Sequence, residues 1–575
     1  MALGTNRSRA RSSALRGNGL LENAKMPCRG VREEKRELVF SRLSEFPNLR
    51  VTREAAFKIR WRDSENQITD HHKYVECRIQ SKQFRDMHMH ISQTVLTIWL
   101  VSIWLVSICS LANGVENTQA SQPNFVLFLT DDISQDDLGC YGNPDVKTPH
   151  LDQWAADGLR FTNAYLTCSS CSPSRCSLIT GRFPHNTGAA ELHTQLPPNH
   201  VLFPKLLKDA GYYTVLSGKH HMGPHANGAF DKVSPGRGPG KEGDWIEILQ
   251  NRPRDKPFFC WFASGDAHRD WQSSDDAPTY DADSIKVPPF LVNGPLTRQD
   301  LASYYHEVSR TDTFAGRIRD ELKSQGIERE TYFIYMSDNG RPFPRCKTRV
   351  YDSGVKSPLI IARPGTIKPN VTESLVSVNV DLPATILQLA KVDQSNRMQG
   401  VSFASILKNP TAKVRDFVFS EHNWHVNQAY ERMVRFGDFM YIRNGFPQLQ
   451  SMCVESAPKF PAGRELWARE TEGKLNDAQR DIFQIPRAEE ELFVLSTDPH
   501  QLKNVVGAPE HANELAKLRS VMDRWIKETR DCISSDPTPD RQSPEGVRNR
   551  NWHHRIQPGI EAGSLEANGK GPLRE

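Results

Sequence analysis

Four apolar runs set the pattern of the chain beyond residue 121: NFVLFLT (Asn124 to Thr130), YYTVLS (Tyr212 to Ser217), PFFCWFAS (Pro257 to Ser264) and YFIYMS (Tyr332 to Ser337). Rich in Val, Ile, Phe and Tyr and broken by Gly or Asp, they predict buried strands. Helical patterns lie between them, TPHLDQWAADGLRFTNAY and VLFPKLLKDAGY among them, so strand and helix alternate as in an α/β sheet. Each run ends directly in a polar cluster: Asp131-Asp132, GKHHMG from Gly218, GDAH from Gly265 and DNG from Asp338. Ligands of such sheets bind outside the carboxyl ends of the strands, so an active site is expected on that one edge.

From about Arg415 the pattern changes. FVFSEHNWH, RMVRFGDFMYIRN and EELFVLSTDPHQLKNVV predict short antiparallel strands ahead of a helix around Glu514 to Thr529. The expected organisation is a domain over 122–410 with the large sheet, a smaller α+β domain over 411–532 and a polar, Pro- and Gly-rich disordered tail over 533–575. A composition of 38% hydrophobic and 25% charged residues suits a globular protein, and no solenoid-length repeat interrupts it.

Upstream, VLTIWLVSIWLVSICSL (Val95 to Leu111) follows Lys82 and Arg85 and precedes the small-residue site Ser110-Leu111-Ala112, the order of a secretory signal over 87–112. Cleavage is expected; left uncleaved, the run would be a membrane anchor. Met87 or Met89 would start such a signal naturally, which makes residues 1–86 a basic extension or a misplaced start. Residues 1–90 hold 19 basic against 11 acidic residues, leaving 54 basic and 58 acidic in the remainder. The exported part is thus slightly acidic, which speaks against a nucleic-acid partner and for a periplasmic, secreted or lysosome-like compartment.

Three cysteines fall in TCSSCSPSRCSLITGRFPH (Thr167 to His185). Zinc would need a second pair of soft ligands at similar spacing, and no other CxxC exists; a Cys168 to Cys171 disulfide stays open. Pro173 is placed to open a helix, which sets Cys171 at a helix N-terminus where free N–H groups favour an anion, with Arg175 as a fork for the same anion.

C-S-P-S-R followed by L-x-T-G (Cys171 to Arg175, Leu178, Thr180, Gly181) resembles the signature of the formylglycine sulfatases. The other clusters match in order: Asp131-Asp132 resembles the family's first metal pair, Lys219 and His221 its G-K-x-H motif, His268 its sulfate-facing histidine and Asp338-Asn339 its second metal pair. Lys347 falls near its last sulfate-binding lysine. The likeness runs from about Gln122 to Asn504. It implies an alkaline-phosphatase-like fold, Cys171 oxidised to an aldehyde by a formylglycine-generating enzyme, and a metal held by Asp131, Asp132, Asp338, Asn339 and position 171. Hard oxygen ligands without His or Cys favour Ca²⁺, with Mg²⁺ second. The aldehyde hydrate would attack sulfur, and its second hydroxyl would then let sulfate leave. Arg175, Lys219 and Lys347 would hold oxygens, and His221 and His268 would move protons.

GRFPHNTG, GKHHMGP and DNGRPFPRCKT look most like the heparan N-sulfatase branch, although Lys347 stands where animal sulfamidases place an arginine. The expected substrate is an N-sulfated glucosamine end of a sulfated glycan. An O-sulfatase, a phosphonate or phosphodiester hydrolase, and an inactive binder of sulfated glycans are the rival readings. His425 and Arg432 are further substrate candidates or, equally, parts of a packing strand. Cys140, Cys168 and Cys176 have no assigned role.

Overall fold

The computed structural model describes residues 122–548. The extension over 1–86 and the apolar segment over 87–112 lie outside the described residues. Fourteen strands are described: β1 (Asn124–Thr130), β2 (Leu159–Phe161), β3 (Ala164–Tyr165), β4 (Tyr213–Gly218), β5 (Lys232–Ser234), β6 (Phe258–Ala263), β7 (Thr331–Ser337), β8 (Leu359–Ala362), β9 (Asn370–Thr372), β10 (Val376–Ser377), β11 (Phe417–His422), β12 (Glu431–Phe436), β13 (Phe439–Asn444) and β14 (Glu490–Val494).

Eight of them form one sheet in the order β5-β4-β6-β1-β7-β8-β2-β9, parallel throughout except at β8, which runs against both its neighbours. The central strand β1 explains why its sequence is a continuous apolar run. Phe125, Leu127 and Leu129 enter the core on one face, Val126 and Phe128 enter the core on the other, and no face is left for water. The 30-residue helix Pro295–Ser324 covers the second face through Leu301, Tyr304, Val308, Phe314 and Ile318. Helices Cys171–Thr180 and Val378–Leu389 cover the first. The mostly parallel sheet with a helix layer on each face is the α/β architecture expected.

One helical reading is corrected. In the stretch from Thr148 to Tyr165 the helix is Pro149–Asp157 and the remainder is β2 and β3. At Gly158 the chain passes so close to β8 that an added Cβ would lie 2.6 Å from the Ile361 carbonyl oxygen, and Leu159 to Phe161 then pair into the sheet.

The strands β11 to β14 make a separate antiparallel meander. Phe417, Phe419, Val434, Tyr441 and Leu492 pack under Leu518, Met522 and Trp525 of helix Ala512–Thr529, while Val418, Met433, Met440 and Ile442 on the other face meet Val350, Tyr351 and Val355 of the larger unit. Arg432, a candidate substrate contact from sequence, is instead committed to this packing: its guanidinium forks onto Asp531 at 2.5 and 2.9 Å, Tyr430 donates to the same carboxylate at 3.0 Å, and both charged side chains are 1% exposed. Arg432→Ala would leave a buried carboxylate unpaired, so it is expected to cost about 3–5 kcal/mol, read as a lower denaturation midpoint in urea.

Of the tail expected to be disordered over 533–575, residues 549–575 lie outside the described residues, and the expectation is corrected for the part up to 548. Thr538 donates to Glu191 at 2.7 Å, the Pro539 carbonyl accepts from the Trp424 indole at 2.8 Å, and the Arg541 amide donates to the Val426 carbonyl at 2.7 Å. Backbone and side-chain hydrogen bonds thus hold this polar segment where apolar burial could not.

Candidate active site

Four parallel neighbours, β4, β6, β1 and β7, deliver the site. Asp131 and Asp132 follow β1, Asp338 and Asn339 follow β7, Lys219 follows β4 and His268 lies in the loop beyond β6. Gly218 makes the turn into Lys219 with φ +106°, and a Cβ there would stand 1.8 Å from the Ala263 carbonyl oxygen, so β4 and β6 close together only around glycine. The Lys219 amide then donates to that same carbonyl at 2.9 Å. Asp132 and His221 both hold φ of +60°, in the left-handed region that Asp and His tolerate better than most side chains.

Carboxylate oxygens of Asp131, Asp132 and Asp338 all lie within 4.8 Å of one another, fully buried. Cations ring them. Arg175 Nε donates to Asp338 at 2.7 Å, Lys347 Nζ to Asp132 at 2.7 Å, and Lys219 Nζ to Asp131. Asn339 Nδ2 donates to Asp132 Oδ1 at 2.6 Å, leaving Asn339 Oδ1 and Asp131 Oδ1 buried without a partner. Burial opposes ionisation of Asp131, yet Lys219, His268 and Arg175 outweigh it and hold this carboxyl far below the usual range. Asp132 goes the other way: burial, opposed by Lys347 but reinforced by the Asp131 charge, pushes it up to about 8. Three crowded carboxylates that do not all ionise by themselves, with two orphaned oxygens, fit a divalent cation with a preference for oxygen.

Cys171 opens helix Cys171–Thr180 as the sequence predicts. Asn379 fixes that helix, donating to the Ser174 carbonyl and hydroxyl at 3.0 and 2.9 Å and accepting from the Thr167 amide at 2.9 Å. The thiol packs with Leu192 and Trp424 and is 2% exposed. Burial pushes its pKa up, and Lys219 and Lys347 offset this only in part. No described cysteine is in a disulfide, which closes the Cys168 to Cys171 alternative.

Arginines place Lys347. In the loop after β7, Arg341 pairs with Asp136 and Asp137, Arg345 with Asp481 at 2.5 Å, and Arg349 with Glu431 at 2.6 Å. Phe343, in the Pro-Phe-Pro segment, is wholly buried under the Arg269 guanidinium, which is itself forked onto Asp300 at 2.6 and 2.7 Å. The segment therefore shapes the loop that carries Lys347 and meets no open cleft itself.

Two clefts, of about 800 and 660 Å³, share the stretch His268 to Asp270. The first runs past Lys219, His193 and His221; the second runs past Lys347 and His425. His268 is held below its ordinary pKa, at about 3, by Lys347, burial and Lys219, and His221 is lowered by burial, Lys219 and His193. Both rings are neutral at ordinary pH.

The structure thus brings Cys171, Arg175, Lys219, His221, His268, Lys347, Asp131, Asp132, Asp338 and Asn339 to one edge. It adds His193, whose Nδ1 lies 2.7 Å from His221 Nε2, and Asp266, whose carbonyl accepts from the Asp131 amide at 2.9 Å while its carboxylate holds Arg310 at 2.6 and 2.8 Å. His425 meets Ser170 at 2.6 Å, one residue from Cys171.

The model of the family described as Sulfatase matches residues 123–244 and 243–392. The chain is 30% identical over 506 residues to the human N-sulphoglucosamine sulphohydrolase, covering 77% of this chain and 98% of that one. It is 28% identical over 459 residues to an ulvan-active sulfatase of Formosa agariphila, covering 70% and 75%. The solved structure of BT4656 in complex with D-glucosamine-2-N,6-O-disulfate superposes with a TM-score of 0.54 at 20% identity, over 74% of this chain and all of that one. A sheet edge of this construction, with a near-complete relative at this identity, identifies the chain as a member of the sulfatase family, a hydrolase of sulfate esters or sulfamates on sulfated sugars.

Proposed function

We propose that the protein removes the N-sulfate from glucosamine residues of heparan-type glycans. The observation that carries the catalytic reading is the seat of Cys171, at a helix N-terminus between Lys219 and Lys347 and against three clustered carboxylates. On this reading Cys171 is converted to formylglycine by a dedicated modifying enzyme, and its hydrate supplies both the attacking hydroxyl and the second hydroxyl needed to expel sulfate. Asp131, Asp132, Asp338 and Asn339 would hold a calcium ion, which when bound withdraws charge from sulfate oxygens.

The chain's own residues divide the remaining work. Lys219 and Lys347 hold sulfate oxygens as point charges, while Arg175, locked to Asp338, keeps the helix end in register with the acidic cluster. His221, backed by His193, is placed to accept a proton from the nucleophile. His268, which lines both clefts, would serve the leaving amine only after taking up a proton itself. The human relative named as an N-sulphoglucosamine sulphohydrolase supports the N-sulfate.

Two measurements test the reading. The tryptic peptide Phe161 to Arg175 from the native source is expected to show the mass of an aldehyde in place of the Cys171 thiol; an unmodified thiol would remove the nucleophile. N-sulfoglucosamine is expected to be hydrolysed at least about 10-fold better in kcat/KM than glucosamine 6-sulfate, the scale on which one well-placed polar contact discriminates. The reverse preference would assign an O-sulfatase.

A further inference from the structure

The segment from Ile533 onward runs beside the loop Trp424 to Val426 and reaches the cleft beside Lys347 with Arg541. Asp540 accepts from the Gln428 amide, and the hydrogen bonds of Thr538, Pro539 and Arg541 fasten the segment to Glu191 and to the loop Trp424 to Val426. It ends by laying the Arg541 guanidinium over the Trp424 ring at 5.4 Å, and Trp424 packs with Cys171 on its own side. Arg541 thereby lines the cleft that also holds Lys347, His268 and His425.

Two features of this wall are left without a purpose by the packing. Among the described residues Arg541 makes no ion pair, and burial lowers its pKa with no carboxylate offsetting that loss. Across the same cleft Glu455 is 5% exposed, with Oε2 buried and unpartnered, although it feels Lys347. A half-buried cation without a carboxylate partner and a buried carboxylate with one unbonded oxygen both gain from a ligand that completes them.

We propose that Arg541 and Glu455 form a subsite for the sugar on the leaving side of the scissile sulfate. Arg541 pairs with a second anionic group of the glycan, a carboxylate or a further sulfate, and Glu455 accepts from sugar hydroxyl or amino groups. The inference rests on the glycan-sulfatase reading above, and it makes the C-terminal strap a determinant of substrate length and charge. Arg541 lies beyond the family-model match, which ends at residue 392.

Binding to the full chain carrying Cys171→Ala tests this without turnover. Calorimetry would compare a disaccharide of N-sulfoglucosamine and a uronate with its carboxyl-reduced twin, and with a reduced twin bearing a 6-O-sulfate. The uronate disaccharide is expected to bind about 10-fold more tightly than the reduced twin, and adding Arg541→Ala should erase that preference while Arg541→Lys keeps part of it, as for a charge-assisted hydrogen bond. A preference restored by the 6-O-sulfate would identify sulfate as the partner. Equal binding of all three ligands, or a preference that survives Arg541→Ala, overturns the proposal. Loss of all binding in Arg541→Ala, reduced twin included, would mark the strap as structural and overturn it too. The sulfatase reading fails on a different result, full activity in Cys171→Ala.

Discussion

Replacing Cys171 with alanine in the otherwise intact protein is expected to lower kcat/KM for a sulfated sugar by about 10⁴-fold or more, the scale seen when a covalent nucleophile is removed. The fold should survive the change. Position 171 contributes one sulfur to a small cluster with Leu192 and Trp424, and the helix it opens is fixed by Asn379, Thr167 and Ser177 through bonds that do not use the thiol. Cys171→Ser is the more informative variant. It keeps a single hydroxyl between Lys219 and Lys347 yet lacks the second oxygen through which sulfate is expelled. It is therefore expected to stop after one turnover with sulfate bound covalently, visible in the intact mass. An alanine variant retaining more than about one part in 10² of the activity would show that the nucleophile lies elsewhere, because the remaining binding and electrostatic groups supply far less than that.

The sheet and its edge were legible because burial on both faces writes an unmistakable code. β1, β6 and β7 are buried at every position and apolar through their middles, and the residue after each run is polar because the chain there leaves the core. The same logic brought out Asp131, Asp132, Lys219, His268 and Asp338 from one chain. Partners contributed by distant elements were illegible. His193 reaches His221 from an irregular loop, and Arg310 reaches Asp266 from the middle of a long helix where an arginine looks like any surface residue. Arg432 stayed between two readings for the opposite reason: a charged residue on a short strand suits an exposed contact and a packing strand alike, and only the fold shows Asp531 waiting for it. The strap failed a composition test that counts apolar burial, since it is held by main-chain carbonyls and amides, which every sequence carries.

The second large effect concerns the acidic cluster. In the metal-free protein, burial and the neighbouring Asp131 charge raise Asp132 from an ordinary 3.8 to about 8, against the pull of Lys347. A carboxyl raised on folding leaves stability untouched below its unfolded value and removes it as pH climbs through the window to the folded one. Protein stripped with a chelator should therefore lose stability between about pH 4 and about pH 8, because there the unfolded chain releases the Asp132 proton that the folded chain keeps. Calcium reverses the sign of that dependence, because the ionised oxygens become its ligands. At a concentration about 100 times its dissociation constant it should add about 2.7 kcal/mol, with a larger gain at the alkaline end of the window. Asp338→Ala is expected to abolish the calcium-dependent rise in melting temperature and to lower kcat by about 10²–10³-fold, the cost of losing one preorganised electrostatic group. The variant also strips Arg175 of its carboxylate, so Asp338→Asn, which keeps an oxygen for Arg175 Nε, separates the two roles. If the asparagine variant melts like the parent without calcium and gains nothing with it, the cluster is a metal site; if parent and variant respond to calcium alike, the three carboxylates serve only to hold Lys219, Lys347 and Arg175 in place.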